Sequence, residues 1–116
     1  MKKDNRVYIE DMLDAIEKIE TYVFSLDEIQ FSRDQKIQDA VIFRFAVIGE
    51  AAGKISEEVK QKSKDIPWRQ IIGLRNMVIH EYSGISLGRV WAVIREDLPT
   101  LKANLIQLSI TSVTLY

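Results

Sequence analysis

Three residues of one short segment could do chemistry together: Arg75, His80 and Tyr82, within RNMVIHEY at positions 75–82. His80 is the single histidine of the chain. Histidine transfers protons near neutral pH, and the planar guanidinium of arginine holds phosphate oxygens through parallel hydrogen bonds. The pair therefore suits cleavage of a phosphodiester bond. In an ordinary helical protein the same side chains would be a core-edge arginine, a helix-end histidine and a packed aromatic ring.

The spacing of these residues does not fit one face of a regular helix. Five residues rotate a helix by about 140°, so Arg75 and His80 point apart, whereas Tyr82 returns to the Arg75 side. Both groups reach one phosphate if the helix ends near Ile79, or if two copies of the chain meet at a two-fold axis. The His80 face also carries Gly73, where we expect a ligand or another backbone to come close.

Apolar residues recur mostly at intervals of three and four, which predicts an all-α fold in one domain spanning residues 1–116. We expect an antiparallel bundle of four main helices. Their predicted bounds are about 5–24, Arg33–Lys60, Pro67–Ile79, and from Ser86 or Leu87 onward. Ser32 and Gln35 form a capping-box pattern at the second helix, after a turn at 25–32. The last helix should be kinked or split at Pro99, because proline lacks a backbone donor and disfavours helical geometry at Leu98.

The second predicted helix carries two apolar faces. One face, from Ile37 to Val59, is enough for a core within one chain. The second apolar face comprises Ala40, Phe43, Val47 and Ala51. A helix that is wet on one side does not need it, so we infer a central helix or an interface between two copies. Glu50 lies beside this face, where its carboxylate either orients a cleft arginine or is a solvated surface charge.

Composition argues against several other kinds of protein. The chain has no cysteine and one histidine, which excludes disulfides, thiolate metal sites and histidine-rich metal sites within one copy. Sixteen basic and seventeen acidic residues leave a net charge of −1, which argues against non-specific coating of nucleic acid. The longest apolar run is too short for a bilayer span, and the start lacks an apolar signal region, so we expect a cytoplasmic protein with no membrane partner.

The motif and its surroundings resemble a known family. GLRNMVIHEY is similar to the R-x-x-x-x-H-x-Y signature of the HEPN superfamily, in particular of the HepT-like toxins of two-gene toxin–antitoxin systems. IGEAAGKI, IPWRQIIG and LGRVWAVIREDLPTL are similar to the phrases that flank this motif in the family. The resemblance covers residues from about 37 to 103, in the expected order and at the expected spacings.

This resemblance implies a helical bundle that forms a homodimer, with two copies of the motif lining one cleft, and a ribonuclease activity that needs no metal or cofactor. Arg75 and His80 match the catalytic arginine and histidine of the family, and Asn76 matches the polar residue that follows the arginine. Tyr82 matches the tyrosine that the MNT-type nucleotidyltransferase antitoxin adenylylates to silence the toxin.

A mechanism follows as a hypothesis. His80 would act as a general base on a ribose 2′-hydroxyl, or as an acid toward the leaving oxygen, while Arg75 stabilises charge on the pentacoordinate phosphorus. The product would be a 2′,3′-cyclic phosphate. The alternative is a helical subunit without catalytic activity that binds a nucleotidyltransferase and presents Tyr82 or a substrate to it. A third hypothesis is a purely structural four-helix protein, in which the motif and its context would be a coincidence.

Overall fold

A computed structural model describes residues 4–76 and 86–111 of the chain. Every regular element in these two ranges is helical, which confirms the predicted all-α class. The elements are α1 Asn5–Val23, α2 Glu28–Ser32, α3 Gln35–Lys54, α4 Glu57–Lys62, α5 Trp68–Ile72, a one-turn 3-10 helix Gly73–Arg75, α6 Leu87–Ala92, a π-helical turn Val93–Asp97 and α7 Leu98–Ile110. No helix within the described ranges is long and apolar enough to cross a membrane.

Helices α1 and α3 pack against each other at the centre of the fold. The apolar spacing of α1 predicts one buried face, and Ile9, Met12 and Ile16 are fully buried on it. At the start of α1, the Asn5 amide donates to Ser56 Oγ at 3.1 Å and accepts from the Ser56 N–H at 2.9 Å. Ser56 lies just beyond the end of α3, so the two helices run antiparallel.

The predicted capping box of the second long helix is wrong. Asp34 caps α3 by accepting a hydrogen bond from the Ile37 N–H at 3.1 Å, whereas Ser32 is the last residue of α2. The observed capping box lies upstream, between Asp27 and Gln30. Because this box satisfies two backbone donors, part of the run that we expected to be a turn forms the short helix α2.

The predicted end of that helix at Lys60 is also wrong, because α3 ends at Lys54. Ile55 takes an extended conformation, with φ −65° and ψ 138°, and the hydroxyl of Ser56 then accepts from the Val59 N–H at 3.3 Å to begin α4. Ile55 and Val59 are both buried, so the apolar periodicity continues across the break. Periodicity alone therefore could not reveal it.

The third predicted helix begins where expected. Helix α5 starts at Trp68, directly after Pro67, and the chain stays helical through the 3-10 turn to Asn76. Trp68 and Ile71 face the core, and the indole N–H of Trp68 donates to the Ser63 carbonyl at 3.2 Å. The predicted end near Ile79, together with His80 and Tyr82, lies outside the described residues.

The last helix is split near Pro99, as predicted, by the π-helical turn Val93–Asp97. Helix α7 then starts at Leu98, so Pro99 falls in its first turn, where a missing N–H needs no partner. Leu98 has φ −63° and ψ −40°, so the prediction of non-helical geometry there is wrong. The buried face continues beyond the proline through Leu101, Leu105 and Leu108.

Candidate active site

The backbone of Arg75 lies directly on α3, against Gly49. A Cβ atom added to Gly49 would lie 2.7 Å from Arg75 N and 2.9 Å from Ile72 O, distances that real Cβ contacts do not show. Glycine at position 49 therefore permits the 3-10 turn to rest on the helix. We expected Gly73 to leave room for a ligand or another backbone, and among the described residues nothing lies within 4 Å of a Cβ atom added there, so this expectation stays a prediction.

The side chain of Arg75 extends along α3 from Gly49 toward Gly53, one turn further on. A Cβ atom on Gly53 would be 3.5 Å from Arg75 Nη1, which is ordinary van der Waals contact. Arg75 Nη1 donates to Glu50 Oε2 at 3.4 Å, and this carboxylate is the single polar partner of the guanidinium among the described residues. A guanidinium carries five N–H donors, and the described residues engage one of its nitrogens only.

Glu50 and Arg75 are brought together at the surface. Their side chains are 58% and 43% exposed, so the ion pair is screened by water and contributes little to the free energy of unfolding. The contact joins one guanidinium nitrogen of Arg75 to one carboxylate oxygen of Glu50. The structure thus joins two of the predicted site residues that are 25 positions apart in the chain.

Asn76 faces a different side of the 3-10 turn. It is exposed and lines a groove between α5 and the α6–α7 segment, together with Gln70, Gly73 and Arg89. Arg75 and Glu50 do not line this groove. Within residues 4–76 and 86–111, no group of three or more aspartate, glutamate or histidine side chains could hold a metal ion.

The second apolar face of α3 lies on the same side of the helix as Glu50. Phe43 is 59% exposed, whereas Val47 is half-buried against the core and Ala51 is buried. Helical rotation places Glu50 and Lys54 on the same side of α3 as Phe43. Along this side of α3, the exposed ring of Phe43 is therefore followed by the charged side chains of Glu50 and Lys54, near the C-terminal end of the helix.

Sequence reasoning did not single out Gly49 and Gly53, although a signal for them was present. Their four-residue spacing places both glycines on one side of α3, as expected where another backbone lies close to a helix. It also missed the Asn5–Ser56 contact. No local pattern links those two residues, because they are 51 positions apart.

Comparison with known proteins identifies relatives of the chain. Residues 12–108 match the family described as HepT-like, Ribonuclease HepT-like. The protein named Probable ribonuclease HepT from Thermococcus cleftensis is 36% identical over 104 residues, which cover 90% of this chain and 94% of the relative. A candidate RNase of Methanocaldococcus jannaschii is 32% identical over 101 residues, which cover 87% of this chain and 93% of the relative.

A third relative is about twice as long as the region that it shares with this chain. It is a protein of Methanocaldococcus jannaschii named as a gamma-glutamylcyclotransferase and candidate RNase, and it is 36% identical over 108 residues. The match covers 93% of this chain and 49% of that protein, so the chain spans about half of its length. No solved structure gives a significant match.

Proposed function

The chain belongs to the HepT-like ribonuclease family, and from this premise we propose that it is the ribonuclease toxin of a type VII-like HEPN/MNT toxin–antitoxin pair. The position of Arg75 carries the proposal. Its backbone lies against Gly49 of α3, its guanidinium lies beside Gly53 and bonds to the Glu50 carboxylate, and its side chain stays 43% exposed. A pre-oriented fork of this kind suits the oxygens of an RNA phosphate.

The proposed reaction needs no metal ion. His80 takes the proton of a ribose 2′-hydroxyl, the 2′-oxygen attacks phosphorus, the bond to the 5′-oxygen breaks, and the protonated imidazole of His80 gives its proton to that oxygen. Arg75 binds the non-bridging oxygens as their charge develops, and Glu50 holds Arg75 in place. The products are a 2′,3′-cyclic phosphate and a free 5′-hydroxyl. We also propose Asn76 as a support of the site, acting from the groove between α5 and the α6–α7 segment, since its side chain faces that groove and not the Arg75–Glu50 pair.

A homodimer would complete the cleft. The chain is helical through Asn76, and further regular helix would place Arg75 and His80 about 140° apart. Two copies that meet through the second apolar face would bring an Arg75 and a His80 of different copies together. The exposure of Phe43 beside Glu50 supports this arrangement.

Regulation would act on Tyr82. Adenylylation by an MNT-type nucleotidyltransferase antitoxin would attach a bulky, negatively charged group two residues from His80. That group would block the cleft and offer Arg75 a competing anion. Because the substrate is RNA and the partner is its neighbouring antitoxin, we place the pair in the cytoplasm.

The proposal is tested by expressing the wild type, Arg75→Ala and His80→Ala, and measuring growth arrest and cleavage of purified RNA. A positioned proton-transfer group contributes about 10²–10⁴-fold and a charge donor about 10²–10³-fold, so each substitution should nearly abolish cleavage. Circular dichroism should show the helical signal of the wild type. Arg33→Ala is the control, because Arg33 is an exposed arginine at the other end of α3.

The alternative, a subunit without catalytic activity, predicts a different result. It would be harmless when expressed alone and would co-purify with a nucleotidyltransferase. An inert wild type whose intact mass shows unmodified Tyr82 would therefore contradict the ribonuclease proposal. An inert wild type that carries an added adenylyl group and regains cleavage when the group is removed would support it.

A further inference from the structure

Lys54, the last residue of α3, lies next to the Arg75 site and forms no ion pair with any residue in the described part of the chain. Gly53, against which the Arg75 guanidinium lies, immediately precedes it. Glu50 and Lys54 are one turn apart in the order that usually forms an ion pair on a helix. Here Glu50 bonds to Arg75, and the Lys54 ammonium lies over the Tyr8 ring, 5.9 Å from its centroid. Within the described ranges Lys54 has no carboxylate partner.

Tyr8 is held in place by the start of α1. Asn5, one turn earlier on the same side of α1, is bonded through both atoms of its amide to Ser56, two residues beyond Lys54. The Tyr8 ring is half-buried and packs against the core. The ring is therefore a fixed surface, and a cation over its face is attracted by the ring electrons.

The charge around this site is locally positive. Residues 50–76, which include Glu50, contain six basic and four acidic side chains, although the net charge of the whole chain is −1. The charged side chains of helix α1 beyond Tyr8 are mostly acidic, with five carboxylates and one lysine. A local excess of cations around a phosphate-binding arginine draws a polyanion toward that part of the surface.

We propose that Lys54 binds the RNA phosphate next to the one held by Arg75, and that Tyr8 is the positioning residue that keeps the Lys54 ammonium beside Arg75. This inference rests on the proposed ribonuclease function, since the ligand is the RNA backbone. Glu50 separates the two cations and pairs with one of them, so the site presents Arg75 as an oriented fork and Lys54 as a point charge.

The salt dependence of RNA binding tests this proposal. The probe is a single-stranded oligonucleotide with 2′-O-methyl riboses, which lacks the attacking hydroxyl and stays intact, and its affinity is measured by fluorescence anisotropy at several salt concentrations. Each lost phosphate contact on single-stranded nucleic acid reduces the slope of log K against log salt by about 0.7. Lys54→Gln should bind more weakly than the wild type and show this reduction of the slope. Lys54→Arg should keep the wild-type slope.

Lys36→Gln is the matched control. Lys36 is an exposed lysine of the same helix, about 27 Å from Lys54 along its axis. Lys36→Gln should leave both affinity and slope unchanged.

Tyr8→Phe keeps the aromatic face and should bind as the wild type does. Tyr8→Leu keeps an apolar side chain in the core without that face, so it should weaken binding, but not further in the Lys54→Gln background.

The outcomes separate this proposal from the one on which it rests. If the wild type binds and cleaves RNA while Lys54→Gln keeps the wild-type affinity and slope, the Lys54 proposal is wrong and the ribonuclease proposal stands. If the wild type, with Tyr82 shown by intact mass to be unmodified, neither binds nor cleaves RNA, both are wrong. If Lys54→Gln changes the sedimented mass and Lys54→Arg does not restore the slope, Lys54 is an interface residue and its proposed role in binding RNA is overturned.

Discussion

At the scale of single residues, the position of Arg75 depends on a neighbour that has no side chain. Gly49 lets the backbone of residues 72–75 lie on α3, and Gly53 leaves room for the guanidinium beside Glu50. A larger residue at position 49 would push the whole 3-10 turn outward, because the atoms in its way belong to the backbone and cannot rotate aside. The glycine therefore matters to the site as much as the charged residues do.

Gly49→Ala should destabilise the fold by about 1–3 kcal/mol, since overpacking against a backbone outweighs the gain of about 1 kcal/mol in helix propensity. It should also lower RNA cleavage, because Arg75 moves away from Glu50. The matched control is Gly73→Ala, where the added Cβ meets no described residue within 4 Å and the free energy of unfolding should stay the same or rise by up to about 1 kcal/mol. Urea unfolding measures the stability of both variants. A Gly49→Ala protein as stable and active as Gly73→Ala would refute this account of position 49.

At the scale of elements, the boundary between α3 and α4 lies next to the Arg75 site, because α3 ends one residue after Gly53. The two helices share a buried apolar face, yet the backbone turns extended at Ile55 and Ser56 begins a new helix. Asn5 bonds to the backbone N–H and the hydroxyl of the same serine. One residue therefore caps a helix and joins it to the start of α1.

Ser56→Ala should lower the free energy of unfolding by about 1–2 kcal/mol, because it removes a helix cap and one partner of Asn5. Asn5→Ala should cost about 1 kcal/mol for its two lost bonds. The two residues share a hydrogen bond, so the double variant should cost less than the sum of the single variants. Thermal and urea unfolding of the two single variants and the double variant measure these free energies. Ser109→Ala is the control, because Ser109 is an exposed helical serine, and it should change the free energy of unfolding by less than about 0.5 kcal/mol. Strict additivity would contradict the joint role of Ser56.

At the scale of the whole molecule, the second apolar face of α3 is less uniform than its sequence pattern predicts. Ala51 is buried and Val47 is half-buried, so Phe43 provides the exposed apolar surface. The Arg44 side chain beside it lies over the Phe43 ring, 5.2 Å from its centroid, and its buried Nε has no hydrogen-bond partner among residues 4–76 and 86–111. This surface is where we expect a second copy of the chain to bind.

Phe43→Asp should convert a dimer to a monomer in sedimentation and remove RNA cleavage with it, because a charge would replace an apolar contact at the proposed interface and the cleft needs two copies. Ile29→Asp is the control. Ile29 is 61% exposed, close to the 59% of Phe43, and lies on α2, so its substitution should keep the wild-type mass. A Phe43→Asp protein with the wild-type mass and activity would show that this face is not the interface.

Local pattern in the sequence by itself determined the fold class, the bounds of α1, the buried faces of the longer helices and the split near Pro99. Helical periodicity and proline geometry act over a few residues, so they are readable without the rest of the fold. The same pattern put Glu50 on the side of α3 where an arginine could meet it. The catalytic roles of Arg75 and His80 and the modification of Tyr82 rest on the family resemblance and stay predictions.

Tertiary structure alone decided which residues position Arg75 and where α3 ends. Arg75 and Glu50 are 25 positions apart, and Asn5 and Ser56 are 51 apart, so no local pattern could pair them. Ser32 and Asp34 are both good caps, and the choice between them depends on how α2 packs before α3 begins. The contact at Gly49 likewise exists because two distant segments are pressed together, and their distance is set by the packed core rather than by either segment.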